Sequence, residues 1–159
     1  MLGVSFRTNS KLLNKRISRF FKEIPDVASK GVKRSAFLLK EIILERTRKG
    51  KGLYGRFSGY SDSYTEYLKK IGAPTTVDLR LTGSMLGSIQ TKLLNKRKAA
   101  VFFGRKDEEE KALHITRDQD RKFFGYTDRE GDFIRKQFIK FVSKDLKRKW
   151  GTRWVVEKI

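Results

Sequence analysis

The sequence predicts an α+β fold in one domain, in which helices pack on one face of a small antiparallel sheet. Apolar residues recur at helical spacing in the first and last thirds of the chain, which predicts a long second helix and a long C-terminal helix. Between them, two alternating segments flank a basic turn and predict a β-hairpin. The 159 residues suit one hydrophobic core, and no repeat or linker divides residues 1–159.

The N-terminal third predicts a short strand followed by two helices. Val4 and Phe6 begin the strand. We expect Pro25 to end the first helix and start the second, because proline lacks the backbone N–H that a helix interior needs. The second helix continues to about Arg48 and should form the spine of the core. The apolar faces comprise Leu12, Leu13, Ile17, Phe20, Phe21 and Ile24 in the first helix and Val27, Val32, Ala36, Leu39 and Ile43 in the second.

A basic, glycine-punctuated segment and a short helix come next. Residues 46–58 should form an exposed, mobile loop, because glycine and clustered cations favour solvent over the core. Ser61 is expected to cap a helix that Gly72 stops. The side chains on this helix that can pack are Tyr64, Tyr67, Leu68 and Ile71.

The middle of the chain predicts a corner, a hairpin and an acidic loop. An extended segment is predicted at Leu79 and Leu81. Thr82 and Gly83 should then turn the chain into one or two helical turns over residues 84–88. Met85 and Ile89 should be buried there. The hairpin pairs residues 91–95 with 99–103, and an acidic loop spans residues 105–112. The basic hairpin tip comprises Lys96, Arg97 and Lys98.

The clearest helix start lies at Thr127. Its hydroxyl can accept a hydrogen bond from the Glu130 N–H while the Glu130 carboxylate reaches back, which is a capping box. A long helix follows, and residues 154–156 suggest a last strand. The apolar side of that helix carries Ile134, Phe138, Phe141, Val142 and Leu146.

Composition restricts the classes of function. Lys and Arg total 38 against 18 Asp and Glu, so the formal net charge is +20, which suits a polyanionic partner such as nucleic acid, a membrane face or an acidic protein. Cysteine is absent and histidine occurs once, which excludes disulfides, thiolate sites and multi-histidine metal sites. No apolar run approaches the ~20 residues that span a bilayer, and no secretory signal is visible. We therefore expect a cytoplasmic protein with no membrane partner.

No pattern predicts catalysis, a metal site or a cofactor. The segment around Gly83 lacks the second glycine and the Lys-Ser/Thr ending of a phosphate-binding loop. Residues 50–55 spell G-x-G-x-x-G without the strand and helix that a dinucleotide site requires. His114 has no paired nucleophile, and the carboxylates of Asp107 to Glu110 are consecutive rather than convergent.

Two separated stretches carry a more informative pattern. The first runs from Tyr60-Ser61-Asp62-Ser63-Tyr64 to Leu81-Thr82-Gly83-Ser84-Met85-Leu86-Gly87-Ser88-Ile89, and the second is His114 followed by Arg121-Lys122-Phe123-Phe124-Gly125-Tyr126-Thr127-Asp128. In this order they resemble the Mu-type phage virion morphogenesis family, also described as tail completion proteins. That family typically carries a Tyr-rich helix, an L-x-x-T-G-x-L-x-x-S-I element and an R-x-F-x-G element that opens a C-terminal helix. Lys122 stands where its members usually have proline.

The resemblance implies a structural protein of a virus particle rather than an enzyme. Such a protein would form a ring of its own copies, with a hexamer favoured, and would join the tail tube or tail terminator to the head–tail connector around a DNA channel. At least one of Phe123 and Phe124 should be buried, and Arg121 could lie at a subunit contact. Residues implied in folding are Tyr64, Leu81, Thr82, Gly83, Leu86, Ile89, Phe123, Phe124 and Gly125.

Two other functions stay open. The charge also suits a nucleic-acid-binding protein outside any particle, although no helix-turn-helix, zinc finger or RNP motif is present. A nuclease is the third hypothesis and has the least support. The basic segment near Tyr54, Phe57 and Tyr60 could hold phosphates and stack bases, or dock on an acidic protein ring. Candidates facing a partner or transiting double-stranded DNA are Arg46, Arg48, Lys49, Lys51, Arg56, Lys96, Arg97, Lys98 and Arg121.

Overall fold

The structure is a computed structural model that describes residues 10–80, 82–118 and 120–151. The elements in chain order are α1 (Ser10–Arg48), α2 (Asp62–Lys70), α3 (Ser84–Gly87), β1 (Ile89–Asn95), β2 (Lys98–Phe103), α4 (Lys106–Asp118) and α5 (Asp128–Trp150). The predicted α+β class is therefore confirmed. Outside the described residues lie the predicted strands at Val4 and Phe6 and at 154–156, the residue Leu81, and the side chains of Leu12, Leu13 and Ile17.

A single helix replaces the two predicted before Arg48. The predicted break at Pro25 is wrong, because α1 continues through the proline. Proline removes one backbone hydrogen bond, but the apolar stripe of α1 is packed on both sides of it. Before it, the Phe20 ring meets Trp150 of α5 edge-on at 5.6 Å, and after it Val27 is buried. Packing against α5 thus outweighs the local preference, and the Pro25 ring is left exposed on the outer side.

The hairpin and the C-terminal helix form where they were predicted. β1 and β2 pair antiparallel from Ile89 opposite Phe103 to Asn95 opposite Lys98, with an irregularity between Leu93 and Asn95. At α5, the Thr127 hydroxyl and the Glu130 carboxylate form the complete capping box. Both signals are local, because a turn and a cap are specified within a few residues.

The core lies where the second half of α1 meets α3, the start of β1, α4 and the segment before α5. Phe123 and Ile89 are fully buried at its centre, and Phe124 is half-buried beside Phe103. The buried core residues are Ile43, Leu44, Met85, Leu86, Ile89, Ala112 and Phe123. The predicted burial of Met85, Ile89 and one of the two phenylalanines is confirmed.

The predicted acidic loop at residues 105–112 is instead the first half of α4. Asp107, Glu108 and Glu109 occupy the first turn, where carboxylates interact favourably with the positive end of the helix dipole. Glu108, Ala112 and Ile115 face the protein interior at helical spacing. The consecutive acidic residues therefore mark a helix start.

The segment after α1 is held more tightly than predicted. Lys51 and Arg56 form an antiparallel bridge, and the Leu53 N–H donates to the Lys122 carbonyl at 2.8 Å. A Cβ on Gly52 would lie 2.7 Å from that carbonyl oxygen, so the residue must be glycine for the two backbones to approach. The glycines of residues 50–55 therefore serve a tight turn, and the element directly before them is the helix α1.

Leu79 does not continue an extended segment. Its φ is +55°, in the left-handed region that non-glycine residues rarely adopt, so the chain bends there. In the ranges that the structure describes, no helix is both long and apolar enough to cross a bilayer.

Candidate interaction cleft

A cleft of about 790 Å³ lies between α2, α3 and α4, and we call it the Tyr60 cleft. Four separated stretches of the sequence contribute to it, and they include most of the segments that carry the family pattern. Its lining residues are Tyr60, Ser61, Tyr64, Leu79, Thr82, Gly83, Ser84, Met85, Glu108, Glu110, Lys111, His114, Ile115 and Arg121.

One wall of the cleft is aromatic. The rings of Tyr60 and Tyr64 meet edge-on at 4.9 Å, and Tyr64 stacks with Tyr67 at 5.9 Å. The Ser61 hydroxyl accepts a hydrogen bond from the Tyr64 N–H at 3.4 Å, so the cap that starts α2 also orients the tyrosines. Burial raises the pKa of the Tyr60 hydroxyl, with smaller contributions from Tyr64 and Asp78. This wall offers flat aromatic faces, and the Tyr60 hydroxyl stays uncharged at neutral pH.

Arg121 fastens the aromatic wall to the segment before α5. Its guanidinium donates to the carbonyls of Ser58 at 3.2 Å and Gly59 at 3.1 Å, and lies 5.0 Å from the Tyr60 ring centroid. The residue is only 7% exposed. In the isolated subunit, hydrogen bonds to backbone carbonyls hold the Arg121 guanidinium inside, and a contact of Arg121 with a partner stays a prediction.

The corner at Thr82 and Gly83 forms another wall. Gly83 adopts φ +73° and stands at the N-cap of α3, while the Thr82 hydroxyl accepts a 3.4 Å hydrogen bond from the Ser84 N–H. A Cβ on Gly83 would meet nothing within 4 Å. A side chain there is therefore disfavoured by backbone conformation and not by lack of space.

Glu108 is the one buried carboxylate that lines the cleft. The residue is 1% exposed, and its Oε1 accepts from the Lys111 ammonium at 3.1 Å. Its Oε2 is buried without a hydrogen-bond partner among the described residues. The nearby Ser84 hydroxyl, then the Lys111 ammonium, hold the pKa of Glu108 below its usual range, although burial opposes them. The cleft thus contains an ionised carboxylate with unused acceptor capacity.

Glu108 was missed as a distinct site residue because it stood among four consecutive acidic residues. Its spacing of four and seven residues from Ala112 and Ile115 is the signal that could have distinguished it. His114, in contrast, lies on the exposed side of α4 and pairs with Asp118, which is also exposed. Nothing in this arrangement gives His114 a nucleophile to activate.

The basic candidate residues do not lie together. Arg46 is a helix residue whose side chain is only 10% exposed, and it pairs with Glu130 at 2.5 Å. The prediction that it faces outward is wrong, because Glu130 and two backbone carbonyls hold its guanidinium inside. The exposed candidates are Arg48, Lys49, Lys51 and Arg56 after α1 and Lys96, Arg97 and Lys98 at the hairpin tip.

Among the described residues, no group of three or more histidine, aspartate or glutamate side chains could hold a metal ion. Searches of protein-family models, curated proteins and solved structures find no match to the chain.

Proposed function

We propose that the protein is a structural component of a tailed-phage particle, a tail completion or neck protein. It would form a ring, join the tail tube or tail terminator to the head–tail connector and surround part of the DNA channel. It would assemble in the host cytoplasm and reside in the virion. Its role in this proposal is mechanical, and no residue acts as a catalyst.

The observation that carries the proposal is the meeting of the pattern-bearing segments at the Tyr60 cleft. Tyr60 and Tyr64, Thr82 and Gly83, His114, and Arg121 are far apart in the sequence but line one cavity. Their convergence on one cavity supports the proposal. Their contacts are hydrogen bonds to backbone and ring packing, which suit a fixed architecture.

The charge distribution also supports a role beside polyanions or acidic proteins. Two exposed basic groups, at residues 48–56 and 96–98, project from turns, so their long side chains reach outward without entering the core. In a ring, such groups would face acidic neighbours or phosphates in the channel.

A nucleic-acid-binding protein outside a particle is the second candidate, and the net charge of +20 favours it. We rank it second because the exposed basic groups at residues 48–56 and 96–98 are separated. A nuclease ranks third, since the described carboxylates do not converge on one point.

Mass spectrometry of purified infectious particles tests the proposal. The chain should be present in about a few to a dozen copies per particle, in keeping with one ring of closed symmetry. A non-structural protein from the same infected cells serves as the control for contamination. If infectious particles lack the chain, the protein acts as an assembly factor or outside the virion, and the proposal fails.

A further inference from the structure

The Tyr60 cleft has the composition of a receptor for a cationic side chain. Glu108 supplies a buried carboxylate whose Oε2 has no hydrogen-bond partner in the described ranges, and Tyr60 and Tyr64 supply aromatic faces. A guanidinium stacks on aromatic rings and pairs with carboxylates, so this combination favours arginine. Lys111 covers Glu108 at present, but its side chain is 57% exposed and can yield to a better-fitting cation.

The rim of the cleft carries a second carboxylate, that of Glu110, beside the cations Lys111 and Arg121. Glu110 lines it and is 67% exposed, while its contact with Lys106 at 3.9 Å is long and at the surface. Exposed pairs of this kind contribute at most about 1 kcal/mol, so they would not compete strongly with an incoming partner. The cleft therefore offers two carboxylates, Glu108 and Glu110, with which a basic group of another copy can pair.

The hairpin tip is the basic group with the shape to enter a cleft. Arg97 lies at the apex, its backbone N–H donates to the Asn95 side chain at 2.8 Å, and its guanidinium makes no hydrogen bond or ion pair to the described residues. Lys96 is already paired with Asp26 at 2.9 Å. Arg97 thus lies on a turn held by a hydrogen bond, and the N–H groups of its guanidinium are available to a partner.

The tip cannot fill the cleft of its own subunit. β1 starts directly after α3, which lines the cleft, and runs seven residues away from it to the tip. At ~3.3 Å per residue the strand separates the tip from the cleft by roughly 20 Å. Any contact between them must join two molecules, and it would join different surfaces of each. Such a head-to-tail contact is the kind that closes into rings.

We propose that Arg97 of one copy enters the Tyr60 cleft of the next copy, pairs with Glu108 and packs its stem against Tyr60 and Tyr64. The inference rests on the proposed function for the ring, and it identifies the cleft as the acceptor side of the ring contact. The partner is a second copy of this chain.

Cysteine cross-linking tests the contact, because the chain has no cysteine of its own. The test variant carries Lys98→Cys beside the tip and His114→Cys at the cleft, leaving Arg97 and Glu108 intact. The matched control carries Lys136→Cys, on the exposed face of α5, with the same His114→Cys and therefore the same change in charge. Mild oxidation should give the test variant a ladder of covalent multimers, and the control only monomers and a trace of dimer.

Two further variants address Arg97 and Glu108 directly. Adding Arg97→Ala, or separately Glu108→Gln, to the test variant should reduce the cross-linked fraction at least about tenfold. Circular dichroism verifies that each variant is folded. The absence of a ladder, an equal ladder in the control, or a ladder unchanged by Arg97→Ala would each overturn the inference.

The outcomes separate this inference from the proposed function. Particles that contain the chain, with no cross-link between the tip and the cleft, would overturn the contact and leave the virion role standing. A ladder that depends on Arg97, formed by a chain absent from particles, would retain the contact and overturn the virion role.

Discussion

At the scale of single residues, Arg46 connects more of the molecule than any other cation described above. Its Nη1 donates to both Glu130 carboxylate oxygens, at 2.7 and 2.5 Å, and its Nη2 donates to the carbonyls of Phe123 and Gly125 at 2.7 and 3.0 Å. It therefore joins the end of α1 to the start of α5, 84 residues away. Burial raises the pKa of Glu130, but hydrogen bonds from Thr127 and Arg46 outweigh it and keep the pKa below its usual value.

Arg46→Met should lower the free energy of unfolding by about 2–4 kcal/mol, because it leaves a partly buried carboxylate and two carbonyls without their donor. Arg48→Met is the matched control, since Arg48 is exposed only two residues away, and it should change the free energy by less than about 0.5 kcal/mol. Urea unfolding followed by circular dichroism measures both. Equal effects in the two variants would mean that the ion pair adds nothing to stability.

The neighbouring pair Phe123 and Phe124 provides a second prediction. Phe123 is fully buried in the core, so Phe123→Ala should lower the free energy of unfolding by about 3–5 kcal/mol. Phe124 is only half-buried, so Phe124→Ala should lower the free energy of unfolding by less than half as much. The same unfolding measurement ranks them, and a larger loss at Phe124 would contradict the packing described for the two rings.

At the scale of elements, Pro25 is the least favourable residue in α1. Because the helix runs through it, Pro25→Ala restores one backbone hydrogen bond and should raise the free energy of unfolding by about 1–3 kcal/mol. Pro74→Ala is the control, since Pro74 lies outside any helix and should change stability little. A destabilised Pro25→Ala variant would indicate that a bend at the proline is needed for α1 to follow α5.

The elements that could be predicted from the sequence are those specified by neighbouring residues. The Thr127–Glu130 capping box, the Ser61 cap and the hairpin with its basic turn each lie within a few residues of chain. The burial of Met85 and Ile89 followed from the same short corner.

The features that could not be predicted depend on residues distant in sequence. The residues near Pro25 do not predict that α5 packs against this part of α1. The residues near Arg46 do not predict its ion pair with Glu130. The burial of Glu108 could not be predicted for a different reason. Four consecutive acidic residues cannot be told apart until it is known which of them lies on the inner face of the helix. The segments that line the candidate site could therefore be predicted from the sequence. The cleft that they form, and the charged residues buried in it, could be identified only from the tertiary structure.

At the scale of the whole molecule, the net charge of +20 should act through its exposed groups. Replacing Arg48, Lys49 and Lys51 by Glu should leave the subunit folded, because all three are exposed. If the protein completes a particle as proposed, the triple variant should block completion, because like charges would then face the acidic partner. Complementation of a phage that lacks the gene measures this. A normal titre with the triple variant would remove this segment from the interface.

Binding to free double-stranded DNA should be weak and steeply salt-dependent, since phosphate contacts alone are available and no base readout is. Fluorescence anisotropy at several salt concentrations measures it, and the same triple variant should show a shallower dependence on salt. Tight, sequence-selective binding at physiological salt would favour the second candidate function over the first.

The pairing of α1 with α5 is secured unequally at its two ends. At one end Arg46 and Glu130 are largely buried, whereas at the other Glu23 and Lys149 meet at 3.3 Å with each side chain 34% exposed, beside the edge-on contact of Phe20 with Trp150. A surface ion pair stabilises the contact only weakly. The angle between the two helices should therefore vary, with the pivot at the Arg46 end. Hydrogen exchange would then be faster for the α1 amides near Glu23 than for those near Ile43. Since α1 is ~58 Å long, a tilt of a few degrees at the pivot moves its far end by several ångströms. In the proposed ring, the subunit would in this way adjust its reach to the next copy while its core stays unchanged.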